Sequence, residues 1–360
     1  FTWTADEVKA VTDHREFEVL SLRYGMDEVG EIPRDPSRNV LWTSRSIPQV
    51  AEATGFSRDE VERLLASGEE RLAQARDRRP APFVDETLYT AWNAMTASAM
   101  LAAGALLERE ELERHALDTL ELLFDQATDS DPEGGMRHAV GSPVGGLLDD
   151  QVHTAQAALD AYEATGNLIW LDRAASLMEH VWSRYRADGG LSDVLSGRGG
   201  EGYLSEPLIP IQDSPTPSPN GIAGIVLCRL AEHTGEGRWR ARGHEHLETF
   251  AGGAGRLGVF GATVLSAIDW AVHPPAHVVI VADGSERVAL LRAARTTFRP
   301  RKVIMTFESG AGADRLPEPL RAMVDGRRPW AYVCAGLECA PPVDSPGALA
   351  GTLASFGVEG

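Results

Sequence analysis

Apolar residues return along this chain at two different periods, and the change of period divides it. Leu88, Trp92, Met95, Ala99, Ala102 and Leu106 follow one another at steps of four and three, the stripe of an amphipathic helix with that face turned inward. A partner helix follows over 110–124 after a tight turn. The arrangement returns twice more. Asp149 to Thr165 carries Val152, Ala155, Leu159 and Tyr162 on one stripe and leads into Leu168 to Tyr185, and Pro219 to Thr234 leads into Trp239 to Phe250. Three helical hairpins in a row, each opened by a long Ala-rich helix, predict a mainly α chain.

The flanks read differently. Residues 1–82 begin with the S/T-x-x-E signature of helix starts at Thr4–Glu7 and repeat it at Ser57–Glu60, which opens a charged helix over Arg58 to Arg76. Asn39 to Trp42 is a short extended segment, and Asp77 to Pro82 is a connector. After Pro274-Pro275 the period shortens: His277 to Val281 is an apolar run of strand length, Ser285 to Phe298 a helix, and Lys302 to Phe307 a second strand. Strand, helix, strand predicts two adjacent parallel strands with a helical crossover. A closing helix is expected over Ala348 to Ser355. The organisation is therefore an N-terminal extension (1–82), a helical-hairpin portion (83–273) and a small α/β segment (274–360).

The hairpins repeat in their letters too. Glu163-Ala164-Thr165-Gly166 recurs 69 residues on as Glu232-His233-Thr234-Gly235, and Trp170 and Arg173 meet Trp239 and Arg242 at the same offset. Leu112 and Arg114 meet Leu171 and Arg173 at an offset of 59. Units of this size stack so that each buries its neighbour's apolar face, which places the three first helices side by side with their N-terminal ends converging. Gly166 and Gly235 stand where a left-handed helix cap wants them. Long Gly-rich loops (Gly134 to Gly146, Gly189 to Asp213) precede the second and third first-helices, at the end where ligand contacts gather.

Composition narrows the function. In 360 residues, 43% hydrophobic, the formal net charge is −19. The only lysines are Lys9 and Lys302. Such a surface repels phosphate backbones and excludes nucleic-acid binding. No apolar run reaches the length of a membrane span. Three cysteines, Cys228, Cys334 and Cys339, are too few for a disulfide framework, so a reducing cytoplasm and a buried thiol pair at Cys334 and Cys339 are expected.

Three clusters carry candidate chemistry. Asp85, Glu86, Trp92 and Asn93 open the first hairpin; a carboxylate, an aromatic platform and an amide suit sugar recognition, while the structural alternative makes Asp85 a helix cap, Trp92 core and Asn93 the partner of a loop carbonyl. Asp149, Asp150 and His153 open the second, and Asp150 with His153, three apart on a face away from the apolar stripe, could work as acid and base. The alternative has an aspartate capping the helix and His153 solvated. Asp213, Ser218 and Asn220 open the third, where Ser218 before Pro219 is first of all a helix start. Gly253 to Gly258 matches G-x-G-x-x-G but follows a helix, so it is a loop and not a dinucleotide site. His244 and His246 lie two apart on a helix and cannot grip one ion. Neither a metal nor a cofactor is expected.

At Ala91-Trp92-Asn93, Leu148-Asp149-Asp150-Gln151 and Pro217-Ser218-Pro219-Asn220 the chain resembles the thioredoxin-domain family of YyaL-like and spermatogenesis-associated proteins. Phe1-Thr2-Trp3-Thr4 with Glu7, Trp170 with Asp172-Arg173-Ala174, and Cys334 to Pro342 extend the likeness over nearly the whole sequence. The resemblance implies an (α/α)6 toroid similar to six-hairpin glycosidases and sugar 2-epimerases, about half present here. It also implies a thioredoxin-like domain upstream of Phe1. It points to a carbohydrate ligand held by Asp85, Trp92, Asn93, Asp149, Asp213 and Asn220, with Asp150 and His153 as catalytic groups. Thr87, Ala94 and Pro219 depart from the family's Lys, Gly and Gly. The departures at Thr87 and Pro219 favour the alternative, an inert scaffold that positions the thioredoxin-like domain or a protein partner.

Overall fold

Capping sets the first elements. Strand β1 (Thr2–Thr4) runs into α1 (Ala5–Val11), where Thr4 Oγ1 accepts from Glu7 N at 3.1 Å and the Glu7 carboxylate accepts from Thr4 N at 3.0 Å. This is the reciprocal box that the sequence spells. Asp13 and Glu16 build a second one ahead of α2 (His14–Arg23). Strand β2 (Arg38–Val40) pairs antiparallel with β1, and α3 (Ile47–Thr54) and α4 (Arg58–Asp77) follow, the latter capped by Ser57. Trp3, Val8, Leu20, Val50, Val61 and Leu65 form the core of this part. The computed structural model describes residues 2–26, 30, 32–129, 135–195, 208–308, 330–336 and 338–356. The chain divides into two compact units, Phe1–Glu86 and Thr87–Gly360.

The second unit is an array of helical hairpins. Helices α5 (Thr90–Leu107) and α6 (Glu110–Gln126), α7 (Leu148–Thr165) and α8 (Leu168–Arg184), and α9 (Pro219–Thr234) and α10 (Gly237–Ala251) pair off, and α5, α7 and α9 lie side by side as expected. Short strands β3 (Arg186–Ala187) and β4 (Gly190–Leu191) form a ribbon between the second and third hairpins. Gly166 and Gly235 end α7 and α9 in the left-handed conformation, at φ 72° and 69°. Helices α7 and α9 are buried around nearly their whole circumference, while α6, α8 and α10 bury one stripe and turn charge outward.

Two expectations fail here. On α5 the buried residues are Thr90, Ala91, Ala94, Ala97, Leu101, Gly104 and Ala105, whereas the predicted stripe faces outward at its large ends, with Trp92 61% and Leu106 66% exposed. The small residues let α6 and α7 approach closely: a Cβ at Gly104 would stand 3.1 Å from Arg109 O. The glycine-rich stretch after α10 is not a plain loop. It is a 3₁₀ segment (Ala254–Gly261) leading into an unanticipated helix α11 (Ala262–Val272), which packs beside α9.

The C-terminal sheet has the order β6–β5–β7–β8, from β5 (Ala276–Val281), β6 (Lys302–Phe307), β7 (Trp330–Ala335) and β8 (Glu338–Cys339). Strands β5 and β6 are parallel and joined through α12 (Gly284–Thr296), as the period change predicts; β7 pairs antiparallel on the other side of β5. Val278 and Ile280 face α12 and α13 (Pro346–Ser355), and Val279, Val281 and Met305 form a separate cluster on the opposite face. Cys334 and Cys339 are joined in a disulfide rather than being free thiols. The tight β7–β8 pairing sets them opposite one another, with Cα atoms 4.0 Å apart, and a single hairpin staple needs no framework of further cysteines. The inference from cysteine count to a reducing compartment loses its premise. No single helix among the described residues is long and apolar enough to cross a membrane.

Candidate functional site

The loop before α7 folds back onto the start of α5. Thr90 N donates to His138 O at 3.0 Å and His138 N donates to Val144 O at 3.2 Å, so the backbone of His138 is pinned on both sides. Its ring meets Asp150 in the first turn of α7, with Nδ1 and Oδ2 3.0 Å apart. Asp150 also accepts from Leu147 N at 2.8 Å and, across the helix pair, from Ala91 N at 3.1 Å. The Asp150 side chain is 1% exposed and that of His138 35%. Burial pushes the Asp150 carboxyl above its ordinary value, against the hydrogen bonds from His138, Leu147 and Ala91 that pull it down. With Nδ1 committed to the buried carboxylate, Nε2 is the ring nitrogen left to meet a ligand. Tyr89 lies 5.3 Å from the His138 ring and 4.9 Å from Trp92, which extends an accessible aromatic surface beside the imidazole.

The expected pairing was Asp150 with His153, and the structure corrects it. His153 is buried, because α7 has no exposed second face at this level, and it is neither solvated nor open to a funnel. It sits under Asp149, four residues earlier. His153 Nε2 and Asp149 Oδ1 are 3.6 Å apart, too far for a hydrogen bond, and both atoms are buried without a partner among the described residues. The rest of the Asp149 carboxylate reaches solvent. Asn93 is half-buried and donates to Tyr89 O at 2.8 Å, which steadies the turn carrying the aromatic pair. Asp85 is exposed at the end of the first compact unit.

The third cluster is spent on structure. Asn220 is fully buried; its Oδ1 accepts from Leu191 N at 2.9 Å and its Nδ2 donates to Leu191 O and Pro210 O, both at 3.0 Å. Gln151 treats Met136 in the same way, accepting from Met136 N at 2.7 Å and donating to Met136 O at 2.8 Å. Asp213 accepts from Ser218 N at 2.8 Å and Thr263 N at 2.9 Å, tying the starts of α9 and α11. The backbone amides of Ser218 and Thr263 more than offset its partial burial and hold its carboxyl below the usual range. Ser218 caps α9 through Gly221 N. The middle of the Gly189 to Asp213 loop and Gly134 lie outside the described residues.

Sequence reasoning missed His138. It belongs to a loop already marked for ligand contact, but twelve residues separate it from Asp150, and no helical or strand period links the two. The C-terminal ends of the same helices carry another network: Glu163 on α7 meets Arg229 and His233 on α9, both at 2.9 Å. Burial would raise the Glu163 carboxyl, but Arg229 and His233 hold it down at about 2.

Fold and site together define a mainly α protein of stacked helical hairpins, whose first helices carry a histidine–carboxylate pair at one end and a mixed sheet at the other. The chain is similar to human spermatogenesis-associated protein 20, with 27% identity over 384 residues, which is 96% of this chain and 48% of that one. An uncharacterized protein of Caenorhabditis elegans is 21% identical over 95% of this chain and 50% of its own length. The chain thus spans about half the length of the curated relatives it matches. No family model matches. Among solved structures, an alpha-mannanase of Bacteroides thetaiotaomicron is similar with a TM-score of 0.42 at 14% identity, over 54% of this chain and 53% of that one. A sugar epimerase from a ruminal bacterium is similar with a TM-score of 0.39 at 15% identity, over 47% and 45%.

Proposed function

We propose that the N-terminal edge of α5 and α7 binds a carbohydrate and transfers protons on it. The observation that carries this reading is the His138–Asp150 pair beside the half-buried ring of Tyr89 and the exposed ring of Trp92. An aromatic face accepts the apolar side of a sugar ring. His138 is then the acid–base group, Asp150 fixes its tautomer and orientation, and Asp149 is the accessible carboxylate of the same turn. Hydrolysis of a glycoside calls for two carboxylates flanking the bond. Asp150 is consumed by three partners, so the groups suit proton abstraction beside a carbonyl, as in epimerisation of a reducing sugar, better than glycoside cleavage.

The test is a panel of reducing sugars, their epimers and aryl glycosides, followed by NMR in D₂O for solvent exchange at ring carbons, using the intact protein. His138→Gln should lower the rate roughly 10²–10⁴-fold. Trp92→Ala should weaken binding about tenfold while leaving the bound-state rate nearly unchanged. If no sugar binds or exchanges, the reading fails. A second reading has an observation of its own. Asn220, Gln151 and Asp213 spend their polar atoms on backbone, as expected of an inert scaffold that positions a thioredoxin-like domain or a protein partner.

A further inference from the structure

Away from that site, α9, α10, the end of α11 and the sheet enclose a cleft of about 400 Å³ lined by Cys228, Glu232, Arg240, His273, His277 and Gly336, among others. His277 Nε2 lies 2.8 Å from the Glu232 carboxylate. Burial would raise the Glu232 carboxyl, but His277 and Arg240 more than offset it, so the carboxylate stays ionised beside the imidazole. On β7, Cys334 stands directly opposite His277 in the β5–β7 register and directly opposite Cys339 in the β7–β8 register. Residues directly opposed in an antiparallel pair project from the same face, with Cβ atoms about 4.5–5.5 Å apart. His277, Cys334 and Cys339 therefore form one row across the sheet, on the face that His277 turns toward α9. The two sulfur-bearing residues differ: Cys334 is buried and Cys339 exposed. Gly336, inside the turn that the disulfide closes, is part of the cleft wall.

We propose that Cys334–Cys339 is a redox-active dithiol–disulfide couple, reduced by a soluble dithiol that attacks the exposed Cys339 while His277, held by Glu232, protonates the departing Cys334. The thiolate of the reductant forms a bond to Cys339 Sγ. The Cys334–Cys339 bond breaks, and its electron pair goes to Cys334 Sγ, which takes a proton from the His277 imidazolium. The second thiol of the reductant returns a proton to His277 and attacks its own partner sulfur. Cys339 then leaves as thiolate and is protonated from solvent. Two electrons and two protons pass from the dithiol to the pair, and the reductant departs as a disulfide. Exchange is fastest where the attacked sulfur is accessible and the leaving sulfur is stabilised, and the row supplies both. Cys228 is no competitor, because burial and the neighbouring Glu232 push its thiol up to about 12.

The experiment begins with protein isolated in N-ethylmaleimide, with peptide mass spectrometry to locate the bond. The native protein is then reduced with dithiothreitol, quenched with iodoacetamide at intervals, and reoxidised with glutathione disulfide. Cys334 and Cys339 should be unlabelled by the maleimide, become alkylated together without denaturant, and close again on reoxidation. The Cys334→Ser variant should trap glutathione on Cys339, and Cys339→Ser should trap none on Cys334. His277→Gln, which keeps a donor for Glu232, should slow reduction about tenfold, while His244→Gln in the same cleft should not change it. Free thiols at both positions in the isolated protein, or reduction that requires denaturant, would overturn the proposal. So would a His277→Gln variant that melts like wild type and is reduced as fast. The Ser variants keep the polarity of attack testable if His277→Gln does not fold.

Discussion

Asp150 lies where three donors converge, and a variant without its carboxylate leaves two backbone N–H groups in the first turns of α5 and α7 with no acceptor. Asp150→Ala should therefore cost about 2–3 kcal/mol in urea unfolding, whereas His138→Ala at the half-open end of the pair should cost less than about 1 kcal/mol. Counting three residues along a helix placed Asp150 on an accessible face; it failed because α7 has neighbours on every side. The pattern Asp149-Asp150-Gln151 marked the correct turn all the same. What the sequence could not display is the partner, since a loop histidine and a helix aspartate meet only through tertiary structure. His246 adds a pH effect. Burial pushes its imidazole down to about 4, although its hydrogen bond to Asn220 O pulls the other way. The unfolded chain then binds the extra proton between about pH 6.5 and 4, so stability falls as pH drops through that window and levels off below it. Urea midpoints measured at pH 7 and 4.5 should differ less in His246→Gln than in wild type.

The repeat at the level of elements was legible because the recurring letters make recurring contacts. Arg173 on α8 lies 4.7 Å from the Trp170 ring and bonds Glu121 on α6 at 2.9 Å; Arg242 on α10 lies 5.0 Å from the Trp239 ring and bonds Glu179 on α8 at 2.9 Å. One device thus joins each outer helix to the one before it. The offset of 69 that relates Trp170 to Trp239 also relates Gln151 to Asn220, two amides that clasp the preceding loop. The misreading of α5 has the opposite cause. A row of large residues is the stronger signal to periodicity, but Ala and Gly allow the closer helix approach, and here closeness decided which face went in. Leu101→Ala, inside, should cost about 2–4 kcal/mol and Leu106→Ala, outside, less than about 0.5 kcal/mol, read from chemical unfolding. Helix α11 escaped notice because glycines dominate its approach. Gly221 accepts it closely: a Cβ there would stand 2.9 Å from the backbone of both Thr263 and Val264. Gly221→Ala should destabilise by about 1–3 kcal/mol despite alanine's better helix propensity.

Across the whole of Thr87–Gly360, the sheet and the hairpins are bound by charged side chains reaching backbone. Arg287 donates to Thr165 O at 2.5 Å at the end of α7, and Arg295 bonds Leu101 O at 2.6 Å and Glu113 at 2.7 Å. Arg295→Met should lower the single unfolding transition of this unit by about 2 kcal/mol without splitting it, as followed by far-ultraviolet circular dichroism and tryptophan fluorescence together. Arg295 reaches a carbonyl 194 residues earlier in the chain. During synthesis, each helical hairpin can close soon after it leaves the ribosome, because its partners are neighbours in sequence. The lower end of α5 has to wait for most of the chain. The later-made α12 thus completes a surface that α5, the first helix of this unit, has left open, and an interval of translation, tens of seconds at ordinary elongation rates of about 5–20 residues per second, separates the two.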